Sequence, residues 1–211
     1  MRAGLSDPIA GGLEGWLDRT LAEVRDTTGD GWPDFRAHAQ DLRFWVRRAV
    51  LGRSLIGVLH PLQDRSGRRY PLVLAAEGVA LPAPIVDGDQ TSYIALARHL
   101  DTMQPGQGAA VLLSGLTLNL PGETAQDALS GPTLWAHHPT GDLDALLRSA
   151  GPVDAARSML LRSYWWAPGM PATEDTSGHA AVWLGCPGLP GAQALGWLLT
   201  GVAPEEAADE R

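Results

Sequence analysis

Histidines, arginines and a lone cysteine are the side chains whose types could do chemistry in this 211-residue chain. The histidines are His38, His60, His99, His137, His138 and His179. His137 and His138 are adjacent, and neighbours on a strand or helix point to different faces, so one metal ion is seldom held by both. No H-E-x-x-H occurs. Cys186 stands alone, which excludes an intrachain disulfide and a cysteine-rich zinc site. Residues 26–34, DTTGDGWPD, have the outline of a calcium loop, with Asp26 and Asp30 at the first and fifth positions and Gly31 at the sixth. Thr28 at the third position and Ala37 at the twelfth leave too few carboxylates, so a polar Gly-Pro turn between two helices is the plainer reading. Ser114-Gly115 is not a nucleophile elbow, because Leu112 stands where that turn needs glycine. Gly106-Gln107-Gly108 has Val111 in place of a third glycine and precedes a strand candidate instead of following one. A phosphate loop ending in G-K-[ST] requires a lysine, and the chain has none. Asp64 with His60 suggests hydrolase chemistry, but no third partner is in view. No convergent catalytic set emerges, so the expectation is a protein that is no enzyme and needs no cofactor and no metal.

Two features point to recognition instead. Arginines gather at Arg43, Arg47, Arg48 and Arg53, then at Arg65, Arg68 and Arg69. The second group sits in a bend with Asp64, Ser66 and Gly67, and three arginines exceed what a chain reversal needs. Arginine's planar fork suits carboxylate or phosphate recognition. The structural alternative is a local Asp64–Arg68 clamp on a solvated rim. The other feature is Trp165-Trp166, within a total of eight tryptophans. Neighbours in a strand face opposite ways. Both are core if both sheet faces are covered; if one face is open, the outer indole is an aromatic anchor for a partner.

The elements that must position these groups follow from periodicity. Residues 55–76, LIGVLHPLQDRSGRRYPLVLAA, read as a hairpin with apolar arms and a polar bend. Leu42, Phe44 and Val46 alternate with Arg43, Trp45 and Arg47, which predicts a strand just before it. Sequential strands on short turns are antiparallel. Residues 159–166 and 180–184 predict two more strands. Pro8 after Ser6-Asp7 opens a helix whose apolar stripe is Ile9, Leu13, Trp16, Leu17, Leu21 and Val24, ending near Thr28-Gly29. Further helices are predicted over 32–40, 89–103 and 192–199, the last opened by Pro190 and closed by Gly201, with a short one near Leu143, Leu146 and Leu147. Residues 109–120, AAVLLSGLTLNL, fit a strand or a buried helix segment. The expected fold is α/β in the α+β sense: a central, mainly antiparallel sheet of about five strands flanked by helices. Residues 1–211 form one domain, with 204–211 as a frayed acidic tail.

Apolar residues make up 45% of the chain, enough for a sizeable core. A net charge of −8 argues against nucleic acid as partner. No apolar run approaches the ~20 residues of a membrane helix, and MRAGLSDPIAGG lacks a signal-peptide core. The expectation is a soluble, cytoplasmic protein without membrane insertion.

Taken together, Arg43-Phe44-Trp45, Gly57-Val58-Leu59-x-Pro61 and Asp64-Arg65-Ser66-Gly67-Arg68-x-Tyr70-Pro71-Leu72 resemble the TagF family of type VI secretion-associated proteins. Ser163-x-Trp165-Trp166 followed by Gly169, then Gly188-Leu189-Pro190 and Leu199-Thr200-Gly201, is similar to that family's C-terminal pattern, and Trp16-Leu17 fits its first helix. The family's usual G-K-L-P-x-R-G-D-F opening is absent, and Leu62 stands where a serine is usual. The resemblance implies a cytoplasmic accessory protein of the bacterial type VI secretion system. Such a protein represses secretion post-translationally, by protein–protein interaction with a forkhead-associated scaffold. On that reading the partner-binding residues are Asp64, Arg65, Gly67, Arg68, Trp165 and Trp166. A structural subunit of the baseplate or membrane complex is the alternative, and a phosphate-directed hydrolase a more distant one.

Overall fold

A computed structural model describes residues 4–63, 69–102, 109–123, 161–169 and 181–201, with positions 145, 148, 149 and 152. The apolar stripe of the first helix, α1 (Asp7–Thr28), buries Ile9, Leu13, Trp16, Leu17 and Val24. A proline in its first turn suits a position whose N–H has no helical partner. Ser6 is the N-cap residue, yet its side chain does not cap. Its N–H and hydroxyl donate to Glu77 Oε2, at 3.0 and 2.8 Å, tying the helix start to the sheet. Gly29, at φ 56°, ends α1, and a 3-10 turn (Gly29–Gly31) leads into α2 (Trp32–His38). The calcium-loop outline is thus a helix end and a turn.

The strands are β1 (Leu42–Val46), β2 (Leu55–Gln63), β3 (Arg69–Glu77), β4 (Arg162–Ala167) and β5 (Val182–Pro187). They form one five-stranded sheet in the order β3-β2-β1-β4-β5, with each pair antiparallel. The expected class, an antiparallel sheet flanked by helices, is what the chain adopts. A short helix not foreseen, α3 (Arg48–Leu51), closes on Gly52 at φ 90° and joins β1 to β2. Beyond β3 come α4 (Thr91–Asp101), α5 (Ala109–Leu113) and, after β5, α6 (Ala192–Thr200). Gly191 is the N-cap residue of α6, one residue after Pro190, whose carbonyl instead accepts the Trp16 indole N–H at 2.8 Å. Gly201, at φ 70°, terminates α6 as expected.

Alternation along each strand sends side chains to two different cores. On one face Leu42, Phe44, Val46, Leu55, Leu59 and Trp165 pack with α1 and α6. On the other, Trp45, Ile56, Val58, Leu74, Tyr164 and Trp166 pack with Tyr93, Leu96 and Leu100 of α4. Leu116, Leu118 and Leu120 join that second core from an irregular segment that follows α5. The 109–120 run is therefore a short helix and then a covering strap, held by a bridge between Val79 and Gly122. Among the described residues no helix is long and apolar enough to cross a membrane.

Several sequence expectations lie outside the described residues: the bend Asp64, Arg65, Ser66, Gly67 and Arg68; Gly106-Gln107-Gly108; His137 and His138; the helix near Leu143, Leu146 and Leu147; the start of the predicted 159–166 strand; and the tail 204–211.

Candidate functional site

The β2–β3 ladder runs unbroken from Leu55↔Glu77 to Gln63↔Arg69. Each arm is nine residues long. Pro61 pairs with Pro71 two positions before the ladder ends. Proline cannot donate to a ladder, so the pair weakens hydrogen bonding at the outer end of the hairpin.

On the α1/α6 face, this outer end borders an apolar cleft of about 450 Å³, open to solvent and lined by Leu21, Trp32, Phe35, Pro61, Pro71 and Leu199 among others. Trp32 and Phe35 stack with centroids 5.2 Å apart, and the Arg36 guanidinium lies 5.6 Å over the Trp32 ring.

On the α4 face, the same end gathers three ionisable groups. The register Leu42↔Leu59 places Asp41, just before β1, beside His60 of β2. His60 Nδ1 lies 2.6 Å from Asp41 Oδ1, with His60 mostly covered and Asp41 half-exposed. Asp101, the last residue of α4, completes the group: one ligand atom from each of the three lies within 4.8 Å of the others. The hydrogen bond to Asp41 raises the His60 pKa above its usual 6.5, against the opposing effect of burial, and the charges of Asp41 and Asp101 add to the rise. A raised folded-state pKa contributes stability that is full below pH 6.5, the unfolded value, and is lost as pH rises through the folded value. The expected result is a melting temperature that falls between pH 6 and pH 8 by an increment that His60→Gln abolishes. Parallel melting curves of the two proteins across that range would contradict this assignment.

Deeper on that face, Gln90 Oε1 accepts from Arg43 Nη1 at 2.9 Å and from the Trp166 indole at 3.0 Å. Burial pulls the Arg43 guanidinium below its usual value, and the Asp41 charge opposes the change. Burial pushes the Cys186 thiol pKa up, against the opposing effects of its hydrogen bond with Ser163 and the Arg162 charge.

Of the expected partner-binding residues, Asp64, Arg65, Gly67 and Arg68 lie outside the described residues. Trp165 and Trp166 are described, and both are core, at 0% and 5% exposure. Neither serves as an exposed anchor, because helices cover both faces of the sheet. Among the described residues the exposed indole is Trp183 on β5, tilted against Tyr164 and Trp166 with centroids 5.4 and 5.3 Å away. His60 was weighed in the sequence beside Asp64, whereas its observed partner is Asp41. The antiparallel register could have identified Asp41. Asp101 gave no sequence signal, since its place depends on how α4 packs.

Comparison with known proteins agrees with this picture. The crystal structure of PA0076 from Pseudomonas aeruginosa PAO1 is similar over 97% of this chain and 90% of that one, with a TM-score of 0.65 and 23% identity. At that identity the likeness establishes the fold. No curated protein sequence matches the chain. Residues 1–104 match the TagF N-terminal domain, described as type VI secretion system-associated. That stretch holds α1 to α4 and strands β1 to β3, while β4 and β5 complete the same sheet from outside it. Residues 1–104, just under half of the chain, are thus identified as a TagF N-terminal domain of the type VI secretion system-associated kind.

Proposed function

We propose that this protein restrains type VI secretion by binding another polypeptide in the cytoplasm, with the forkhead-associated scaffold as that partner, and that it performs no turnover. The observation that carries the reading is the TagF match over residues 1–104. The hairpin supports it physically. A long, regular ladder ends at Gln63 and Arg69, between which the sequence is rich in arginine, and an apolar cleft lined by Pro61 and Pro71 borders the outer end of that ladder. Arginine and aromatic side chains supply much of the energy of protein interfaces. With Trp165 and Trp166 in the core, the contact surface is assigned to Asp64, Arg65, Gly67 and Arg68.

Secretion from cells overproducing the protein tests this reading. Wild type is expected to suppress release of the apparatus's secreted tube protein, and Arg65→Ala/Arg68→Ala to restore it at equal protein level. The wild-type protein should co-purify with the scaffold. Co-purification with baseplate or membrane-complex proteins alone, with secretion unchanged, would instead make it a structural subunit.

A further inference from the structure

We propose that Asp41, His60 and Asp101 form a binding site for a divalent transition-metal ion such as Zn²⁺. The three donors come from three separate elements: the residue before β1, the middle of β2 and the last turn of α4. The β1–β2 register and the packing of α4 on the second core hold them together, so the site is built by the fold and not by a flexible segment. One imidazole nitrogen and two carboxylate oxygens lie within 4.8 Å of one another. Zinc–nitrogen and zinc–oxygen bonds are about 2.0–2.2 Å, which puts donors on the order of 3 Å apart. The Asp41–His60 pair, at 2.6 Å, is already near that spacing, and side-chain rotation supplies the rest. Imidazole with carboxylate favours first-row transition ions, whereas calcium and magnesium prefer all-oxygen sets.

Charge points the same way. Two carboxylates converge on one imidazole, and both are accessible enough for an ion to enter. Asp101 sits at the C-terminal end of α4, where the helix dipole favours a cation. Arg43, the nearby positive group, has its guanidinium turned to Gln90. Binding replaces the His60–Asp41 hydrogen bond: the shared proton leaves to solvent, and the ion takes both atoms as ligands. Three protein donors leave coordination positions open to water. His60 stands at the x of the G-V-L-x-P segment, and Asp41 and Asp101 lie outside it.

The test is Zn²⁺ titration of the tag-free, full-length protein against a chelating dye, with melting curves in parallel. Wild type is expected to bind one equivalent and to melt higher with Zn²⁺. Asp101→Asn should weaken binding at least tenfold and abolish the melting shift, and His60→Gln should remove the equivalent. His38→Gln, at an exposed histidine on α2, should behave as wild type. Asp101 is exposed, so its variant decides the matter even where His60→Gln folds poorly. Absence of a saturable equivalent in wild type, or undiminished binding by Asp101→Asn, overturns the assignment.

Discussion

Replacing Trp165 by alanine is expected to cost about 3–5 kcal/mol, the range for removing a large aromatic from a close-packed core. The ring is fully buried, stacked on Phe44 at 4.8 Å and tilted against Trp16 at 5.0 Å. It therefore joins the central strand β1 to helix α1 through one side chain. Its indole N–H donates to Ser163 Oγ at 2.9 Å, so the polar atom is satisfied inside the core. Alanine leaves a cavity between the sheet and the helix layer, and Phe44 and Trp16 lose their shared contact. Domains are stable by about 5–15 kcal/mol, so this single change removes a large share. A urea melt of Trp165→Ala should show a much lower midpoint with an unchanged slope. A loss below about 1 kcal/mol would mean that the ring is accessible and free to act as a partner anchor.

Gly57→Ala is the second large effect, and its cause is overpacking. Gly57 of β2 lies opposite Phe44 of β1. A Cβ there would stand 2.8 Å from the Leu74 carbonyl oxygen and would overlap Phe44 Cζ. The Leu74 oxygen is backbone inside the β2–β3 ladder and cannot move without breaking the pairing. Phe44 is 1% exposed and held against Trp165, so it has nowhere to turn. We expect a loss of about 3 kcal/mol, the upper part of the usual range for overpacking. Thermal unfolding measures it, and Gly88→Ala, where a Cβ meets nothing, is the matched control. Equal melting temperatures for the two variants would contradict the close approach of Phe44 to the Gly57 backbone.

What could be read from residue order was what depends on near neighbours. Pro8 and Gly29 bound α1 because one tolerates a missing N–H and the other a positive φ. The period of two over Leu42 to Val46 defined β1, and the apolar arms defined the hairpin. Pairings between distant segments were not legible. β4 lies beside β1, more than a hundred residues earlier in the chain, and nothing in RSYWWA names that neighbour. The fate of Trp166 hung on whether α4 covers the second face, which the strand pattern alone leaves open. The Asp41–His60–Asp101 group was hidden for the same reason. Its members are 19 and 41 residues apart in sequence and share no motif spacing. Helix α3 escaped notice because four residues carry too little periodicity, although Gly52 marked its end.

The proposed repression by contact is tested most directly by the affinity of the purified protein for the purified forkhead-associated scaffold, measured by calorimetry for wild type and for Arg65→Ala/Arg68→Ala. Saturable binding by wild type, weakened at least tenfold in the variant with melting temperatures within about a degree of each other, is the predicted result. No binding by wild type, or equal binding by both proteins, would contradict a partner surface at the hairpin bend.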